Sequence, residues 1–121
     1  MSIFKGVSAL RTSYKTLSFV ELAGASSQAT ALLWHTFIMG GRMTFIHNAT
    51  DVEIAVYAVH PDAPPEDVDN RLLLFEVCDG QVLNYVSGMV PTLEFDPGSR
   101  LLAAWTTAAP TLGKLKLSSW G

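Results

Sequence analysis

From residue 30 onward the chain is a succession of short apolar runs broken at close intervals by Gly, Pro, Asn or Asp, and few folds accept that rhythm. RMTFIHN (42–48), DVEIAVYAV (51–59), RLLLFEVC (71–78), QVLNYVS (81–87), TLEF (92–95), RLLAAWTT (100–107) and KLKLSSW (114–120) read as strands. ATALLWHTFIM (29–39) is an eighth, and TLSFVEL (16–22) a ninth. Helices fit badly: β-branched and aromatic residues are frequent, and Gly or Pro interrupts nearly every window that a helix would need. Alternation is clearest at 114–120, where Leu115 and Leu117 face one way and Lys114, Lys116 and Ser118 the other. RLLLFEVC is apolar on both faces, the mark of a central strand or of one whose outer face meets a partner.

The punctuation reads as turn chemistry. Gly40-Gly41 and Asp79-Gly80 suit two-residue hairpin loops, which need positive φ at both central positions. Asn48-Ala49-Thr50-Asp51 and Asp96-Pro97-Gly98-Ser99 suit turns of other types. With 121 residues the chain is one domain's worth, too short for two ordinary ones. The expectation is all-β: an antiparallel β-sandwich or jelly-roll-like barrel of about eight strands, spanning 29–121, with an extended N-terminal arm over 1–28. That leader is rich in Ser, Thr, Ala and Gly, with isolated large residues at Ile3, Phe4, Leu10 and Tyr14 as anchors for a neighbouring subunit.

Hydrophobic residues make up 49% of the chain and the mean hydropathy is +0.28, more apolar than a solitary domain of this size needs. A membrane does not explain the surplus. The longest nearly apolar stretch, ALLWHTFIM at 31–39, contains His35 and Thr36 and falls far below the roughly 20 residues of a spanning helix. The start lacks the continuous apolar core of a signal peptide. The expectation is therefore burial against other subunits. Lys5, Arg11 and Lys15 give the first 20 residues +3 with no acid, which leaves −6 for the rest of a chain of net charge −3. A basic leader on an acidic body lacks the dense Lys/Arg stripe of a nucleic-acid-binding domain, and suits the leader of one copy lying on the body of another.

Candidate chemistry is sparse. Cys78 is the sole cysteine, which excludes an intrachain disulfide and a C-x-x-C site; Asp79 beside it disfavours a thiolate, so it reads as a buried structural thiol. HPDAPPEDVDN (60–70) gathers Asp62, Glu66, Asp67 and Asp69, yet it has no Gly for the bend of a Ca²⁺ loop and spends three prolines where such a loop must curl. It reads as a solvated connection that doubles as a contact surface. His35 and His47, placed on facing strands of a Gly40-Gly41 hairpin, point to opposite faces, which argues against a zinc site. No G-x-S-x-G and no phosphate-cradling Gly loop is present. Glu53, Glu76 and Glu94 are placed where they can meet across strands, without thereby implying catalysis. Asn48-Ala49-Thr50 matches a glycosylation acceptor but is better explained as a turn. Trp34, Trp105, Trp120, Tyr57 and Tyr85 are core candidates or a stacking platform for sugars; Trp120 stands apart, because it shares parity with Lys116 and Ser118. No catalytic, cofactor-binding or metal-ligating residue is expected, and the chain is not read as an enzyme.

The segment AAPTLGKLKLSSWG (108–121), preceded by the strand RLLAAWTT, resembles the ending of small tailed-bacteriophage virion proteins, in which a P-T-x-G turn leads into a last strand closing with Trp-Gly. FIHNATDVEIAVYAV (45–59) is more loosely similar. The resemblance implies a compact β-sandwich that assembles in many copies on a capsid or a tail, as a decoration, head–tail or tail component. The partners it implies are the chain itself and other virion proteins, with no cofactor, nucleic acid or membrane. It implies location in the virion after synthesis in the host cytoplasm. The expected contact residues are Ile3, Phe4, Leu10, Tyr14, Asp62, Glu66, Asp67, Asp69 and Trp120. A carbohydrate- or receptor-binding β-sandwich, using exposed aromatics and the acidic connection, is the alternative.

Overall fold

A computed structural model describes residues 12–64, 66–84 and 93–121. Among these, nine strands follow in order: β1 (Thr12–Ser18), β2 (Leu32–Phe37), β3 (Gly41–Asn48), β4 (Ile54–Val59), β5 (Arg71–Val77), β6 (Val82–Asn84), β7 (Glu94–Phe95), β8 (Ser99–Trp105) and β9 (Lys114–Trp120). One helical turn, α1 (Phe19–Leu22), follows β1, and a 3₁₀ turn (Val68–Asn70) precedes β5. All ladders are antiparallel and form two sheets, β1-β9-β3-β6 with β7 beside β3, and β2-β8-β4-β5. β6 and β7 pair with opposite ends of one edge of β3, so they serve as a single interrupted strand. Counted that way, the first strand pairs with the last, the second with the last but one, and so inward to β4 with β5. That is jelly-roll connectivity, and the all-β sandwich is the fold observed.

Alternation explains why the sheets close on one another. Ile46, Leu115 and Leu117 from one sheet meet Phe37, Ile54, Val56, Val77, Leu101 and Ala103 from the other, all fully buried. Each of these side chains larger than Ala103 contributes about 1.5–3 kcal/mol by leaving water. The outward-facing Ala55, Leu102 and Ala104 of the second sheet are buried too. Residues 23–29 account for this. Trp105 on β8 donates its backbone N–H to Ala25 (2.8 Å) and its indole N–H to Ala23 (3.1 Å), while Arg71 on β5 donates to Gln28 (2.7 Å) and Ala29 (3.0 Å). A segment tied to both strands must cross β4, and the inner face is filled by core.

Several expectations need correction. Residues 12–28 are not an arm: β1 is paired with β9 along its whole length, and only residues 1–11 of that leader lie outside the described residues. TLSFVEL is not one strand. Ser18 ends β1 and caps α1, accepting from Glu21 N while the Glu21 carboxylate accepts from Ser18 N, and Leu22 drops into the core. Neither Gly40-Gly41 nor Asp79-Gly80 closes a hairpin, since each carries the chain from one sheet to the other; Gly80 is left-handed and Asp79 is not. RLLLFEVC is an edge strand, with Leu72 and Leu73 more than half exposed. Cys78 is exposed, its Sγ 3.9 Å from Glu53 Oε2.

Two turns form as expected. Ser99 N bonds Asp96 O (3.1 Å) across the left-handed Gly98. Asn48 is fully buried at the end of β3 and holds the 48–52 turn: its amide donates to Val52 O (2.8 Å) and Val77 O (2.9 Å), and its Oδ1 accepts from Thr50 N (3.1 Å) and Thr50 Oγ1 (2.6 Å). With both amide protons engaged and no exposure, Asn48 has nothing to offer as a glycosylation acceptor.

Candidate functional site: an aromatic sheet face and an edge cleft

Register assigns the outer face of the β1-β9-β3-β6 sheet residue by residue. Thr12, Trp120, Arg42 and Glu94 form one row across the strands, Tyr14, Ser118, Phe45 and Asn84 the next, and Thr16, Lys116, His47 and Val82 a third. Tyr14 is 65% exposed and Phe45 41%, and both lie opposite Ser118. At about 4.8 Å per strand their backbones stand ~10 Å apart, with the small Ser118 as the floor between two rings. The Arg42 guanidinium lies 4.1 Å from the centre of the Trp120 ring, a cation–π contact between neighbouring strands. Arg42, Lys114 and Lys116 face Glu94 alone among acids on these paired positions, so the face is basic on an acidic body.

Two expected contact residues, Tyr14 and Trp120, therefore meet on this face. Ile3, Phe4 and Leu10 lie outside the described residues. Asp62, Glu66, Asp67 and Asp69 sit elsewhere, on the connection from β4 to β5 in the other sheet. There Asp67 caps the 3₁₀ turn, its Oδ1 accepting from Asp69 N (3.2 Å) and its Oδ2 from Asn70 Nδ2 (2.6 Å). Arg100 donates to Ala63 O (3.0 Å) and fixes the connection to β8. Asp62, Glu66 and Asp69 point into water. Sequence reasoning missed Phe45 and Arg42, although the alternation of 42–48 places a polar-side aromatic there once the bulge between Met43 and Phe45 is allowed for.

The imidazoles of His35 and His47 do not converge. His35 and His47 belong to different sheets, because the glycine pair between them is a crossing and not a hairpin. Among the described residues no three His, Cys, Asp or Glu side chains come together to hold a metal. Glu53 and Glu76 do meet, while Glu94 is in the other sheet, opposite Arg42. The hydrogen bond that protonated Glu76 donates to Glu53, and then the like charge of Glu53, push the Glu76 carboxyl up from its ordinary value, and Thr106 Oγ1 donates to Glu53 Oε1 (3.0 Å). This pair stands open to solvent, outside the cleft described next.

Where β1 and β2, edge strands of their sheets among the described residues, run side by side, the sandwich opens into a cleft of about 780 Å³ lined by Ser13, Lys15, Trp34, His35, Thr36 and Gly121 and rimmed by Leu33, Ile38 and Met39. A register shift between Leu33 and His35 makes Trp34 a bulge residue, and it turns both Trp34 and His35 into the sandwich. His35 stacks edge-on against Phe37 and donates its Nε2–H to Gly121 O (2.6 Å). Burial pushes its pKa down against that hydrogen bond, with Lys15 adding in the same direction, so the ring is neutral at pH 7. Trp34 Nε1 is buried without a hydrogen-bond partner.

Among the described residues no helix is long and apolar enough to cross a membrane. Compared with known proteins, the chain matches no family model, no curated protein and no solved structure.

Proposed function

We propose that this chain is a non-enzymatic structural protein of a phage virion, assembling in multiple copies on the capsid or the tail. One observation carries the reading: large apolar side chains stand exposed on several separate borders of one small sandwich, Tyr14 and Phe45 on one sheet face, Leu72 and Leu73 on the β5 edge, and Ile38 and Met39 beyond β2. Surfaces distributed in this way suit a body that meets more than one neighbour at a time. Jelly rolls are used for such packing in capsids. The basic aromatic face and the acidic 60–70 connection lie on different sheets, so contact between two copies pairs opposite charges. Purified particles lacking this protein test the reading. The full chain should bind them saturably, in a fixed copy number, and the double variant Tyr14→Ser, Phe45→Ser should lose that binding while keeping its unfolding midpoint. Failure of the unmodified chain to bind the particles refutes the reading.

A second reading, a carbohydrate- or receptor-binding module, draws on Tyr14 and Phe45 flanking Ser118, a spacing that lets a sugar ring lie between two aromatic edges. On a glycan array, reproducible binding abolished by Tyr14→Ala supports this reading against the first.

A further inference from the structure

The β1–β2 cleft has a chemical character that assembly does not require. Its volume is that of a small-molecule site, about 300–1,000 Å³. No Asp or Glu is among its lining residues, and Lys15 reaches it as a cation without an ion-pair partner among the described residues. Lys15 is there because of strand parity: it shares a side of β1 with Ser13 and the buried Leu17, and faces inward where the sandwich is open. His35 contributes no charge, being neutral, and its Nε2–H is already spent on Gly121. The indole N–H of Trp34 is sealed from solvent and is not offered to the cleft, so the donors at the wall are Lys15 and the hydroxyl of Ser13. Beside this cationic wall stand Leu33, Ile38 and Met39, 56%, 74% and 87% exposed, a concentration of unburied aliphatic side chains at one mouth. A wall that offers donors and positive charge, next to a rim that offers apolar surface, complements a molecule with a carboxylate at one end and a hydrocarbon at the other.

We propose that the β1–β2 cleft binds a small amphipathic carboxylate, its carboxylate at Lys15 and Ser13 and its hydrocarbon against Leu33, Ile38 and Met39. The rim shares Ile38 and Met39 with one of the apolar borders named for assembly, but binding is read on the isolated chain, so its failure and the failure of the assembly reading are distinguishable. No bond is made or broken. Lys15 supplies a charge-assisted hydrogen bond at the mouth, and the rim gains burial that it lacks in the free protein. Chain length and head-group charge are the two variables that the geometry links to affinity.

Calorimetric titration of the full chain with butyrate, hexanoate and octanoate separates these variables, with octanamide and octylamine as head-group controls. Affinity should rise about fourfold per added methylene, the equivalent of ~0.8 kcal/mol for each CH₂ buried. Octanamide should bind at least about tenfold more weakly than octanoate, the worth of a hydrogen bond to a charged group, and octylamine more weakly still. Lys15→Met should reduce octanoate affinity to the octanamide level without changing octanamide, and Lys15→Arg should restore it. Met39→Ser, which leaves β1 untouched, should flatten the dependence on chain length. Affinity independent of chain length, octanoate binding unchanged in Lys15→Met, or no octanoate binding at millimolar concentration each overturns the proposal.

Discussion

Asn48→Ala probes the most heavily used buried polar group in the described structure. The amide makes four hydrogen bonds, to Val52 O, Val77 O, Thr50 N and Thr50 Oγ1, in a site closed to water. At about 1 kcal/mol each, their loss costs ~4 kcal/mol. The hydroxyl of Thr50 keeps a partner, since its one proton can turn to Val52 O (3.1 Å), but Thr50 N–H loses the acceptor that Asn48 supplied. Against a total stability of roughly 5–15 kcal/mol, one truncation removes about a quarter or more. Urea unfolding followed by tryptophan fluorescence reads this directly: with a slope near 1.5 kcal/mol/M the midpoint should fall by about 2–3 M. Thr50→Val should cost about 1–2 kcal/mol, and the double variant should cost less than the sum, because the bond between the two side chains is counted in both. Asn48→Asp turns two donors into acceptors facing carbonyls and buries a charge, so its carboxyl pKa rises on folding. Its penalty is therefore full at neutral pH and relieved as pH falls below the carboxylate range. A midpoint shift under about 0.5 M for Asn48→Ala, or strict additivity with Thr50→Val, would refute the view that this amide holds the turn and the sheet end together.

Gly113→Ala and Gly80→Ala separate steric clash from backbone strain. Both positions are left-handed, but a Cβ at Gly113 falls 2.0 Å from Ala49 O, whereas one at Gly80 meets nothing within 4 Å. Gly80→Ala should cost about 1–2 kcal/mol and Gly113→Ala several times that, measured by the same urea midpoints. Asp51 and Glu76 should tilt stability with pH in opposite senses. Hydrogen bonds from Thr111, hydroxyl first and backbone N–H second, hold the Asp51 carboxyl below its ordinary value. Its contribution is present above the unfolded pKa and lost as pH falls through the folded one, so Asp51→Asn should flatten the acid limb of midpoint against pH. Glu76, raised by Glu53, favours the fold below its unfolded pKa and loses that contribution as pH rises. Glu76→Gln should therefore raise the midpoint at pH 7 and leave it unchanged at pH 3.

The strand runs and two of the turns were legible because they depend on local properties: β-branched and aromatic content, alternation, and residues that accept particular φ values. What local chemistry does not carry is the partner of each strand. Gly40-Gly41 and Asp79-Gly80 bend the chain as such pairs do, but the strands they join enter different sheets, and nothing in a glycine pair distinguishes a hairpin from a crossing. β1 was hidden for a related reason. Its inward positions Ser13 and Lys15 face the cleft and not the core, so TSYKTLS lacks the apolar alternation of a buried strand. Helix α1 was signalled by Ser18 and Glu21 in capping-box spacing, a cue outweighed by the β-type residues around it. Trp120 was placed on the polar side by parity alone, and that held. Phe45 was not, because a bulge shifts parity and leaves no mark in composition.

The pairing of first strand with last has a consequence for how the molecule comes into being. Thr12 is matched with Trp120 across more than 100 residues, and β9 and β8 fill the middle of their sheets, between strands made much earlier. During synthesis, β1, β3, β2 and β4 emerge as edges whose central neighbours do not yet exist. The sandwich closes only after residue 120 has left the ribosome. Folding is then governed by the search for distant contacts, on the millisecond-to-second scale of nonlocal β topologies. Through that interval the nascent chain presents unpaired apolar strands, so its yield in a cell depends on how well those edges are shielded while it waits for its own last strands.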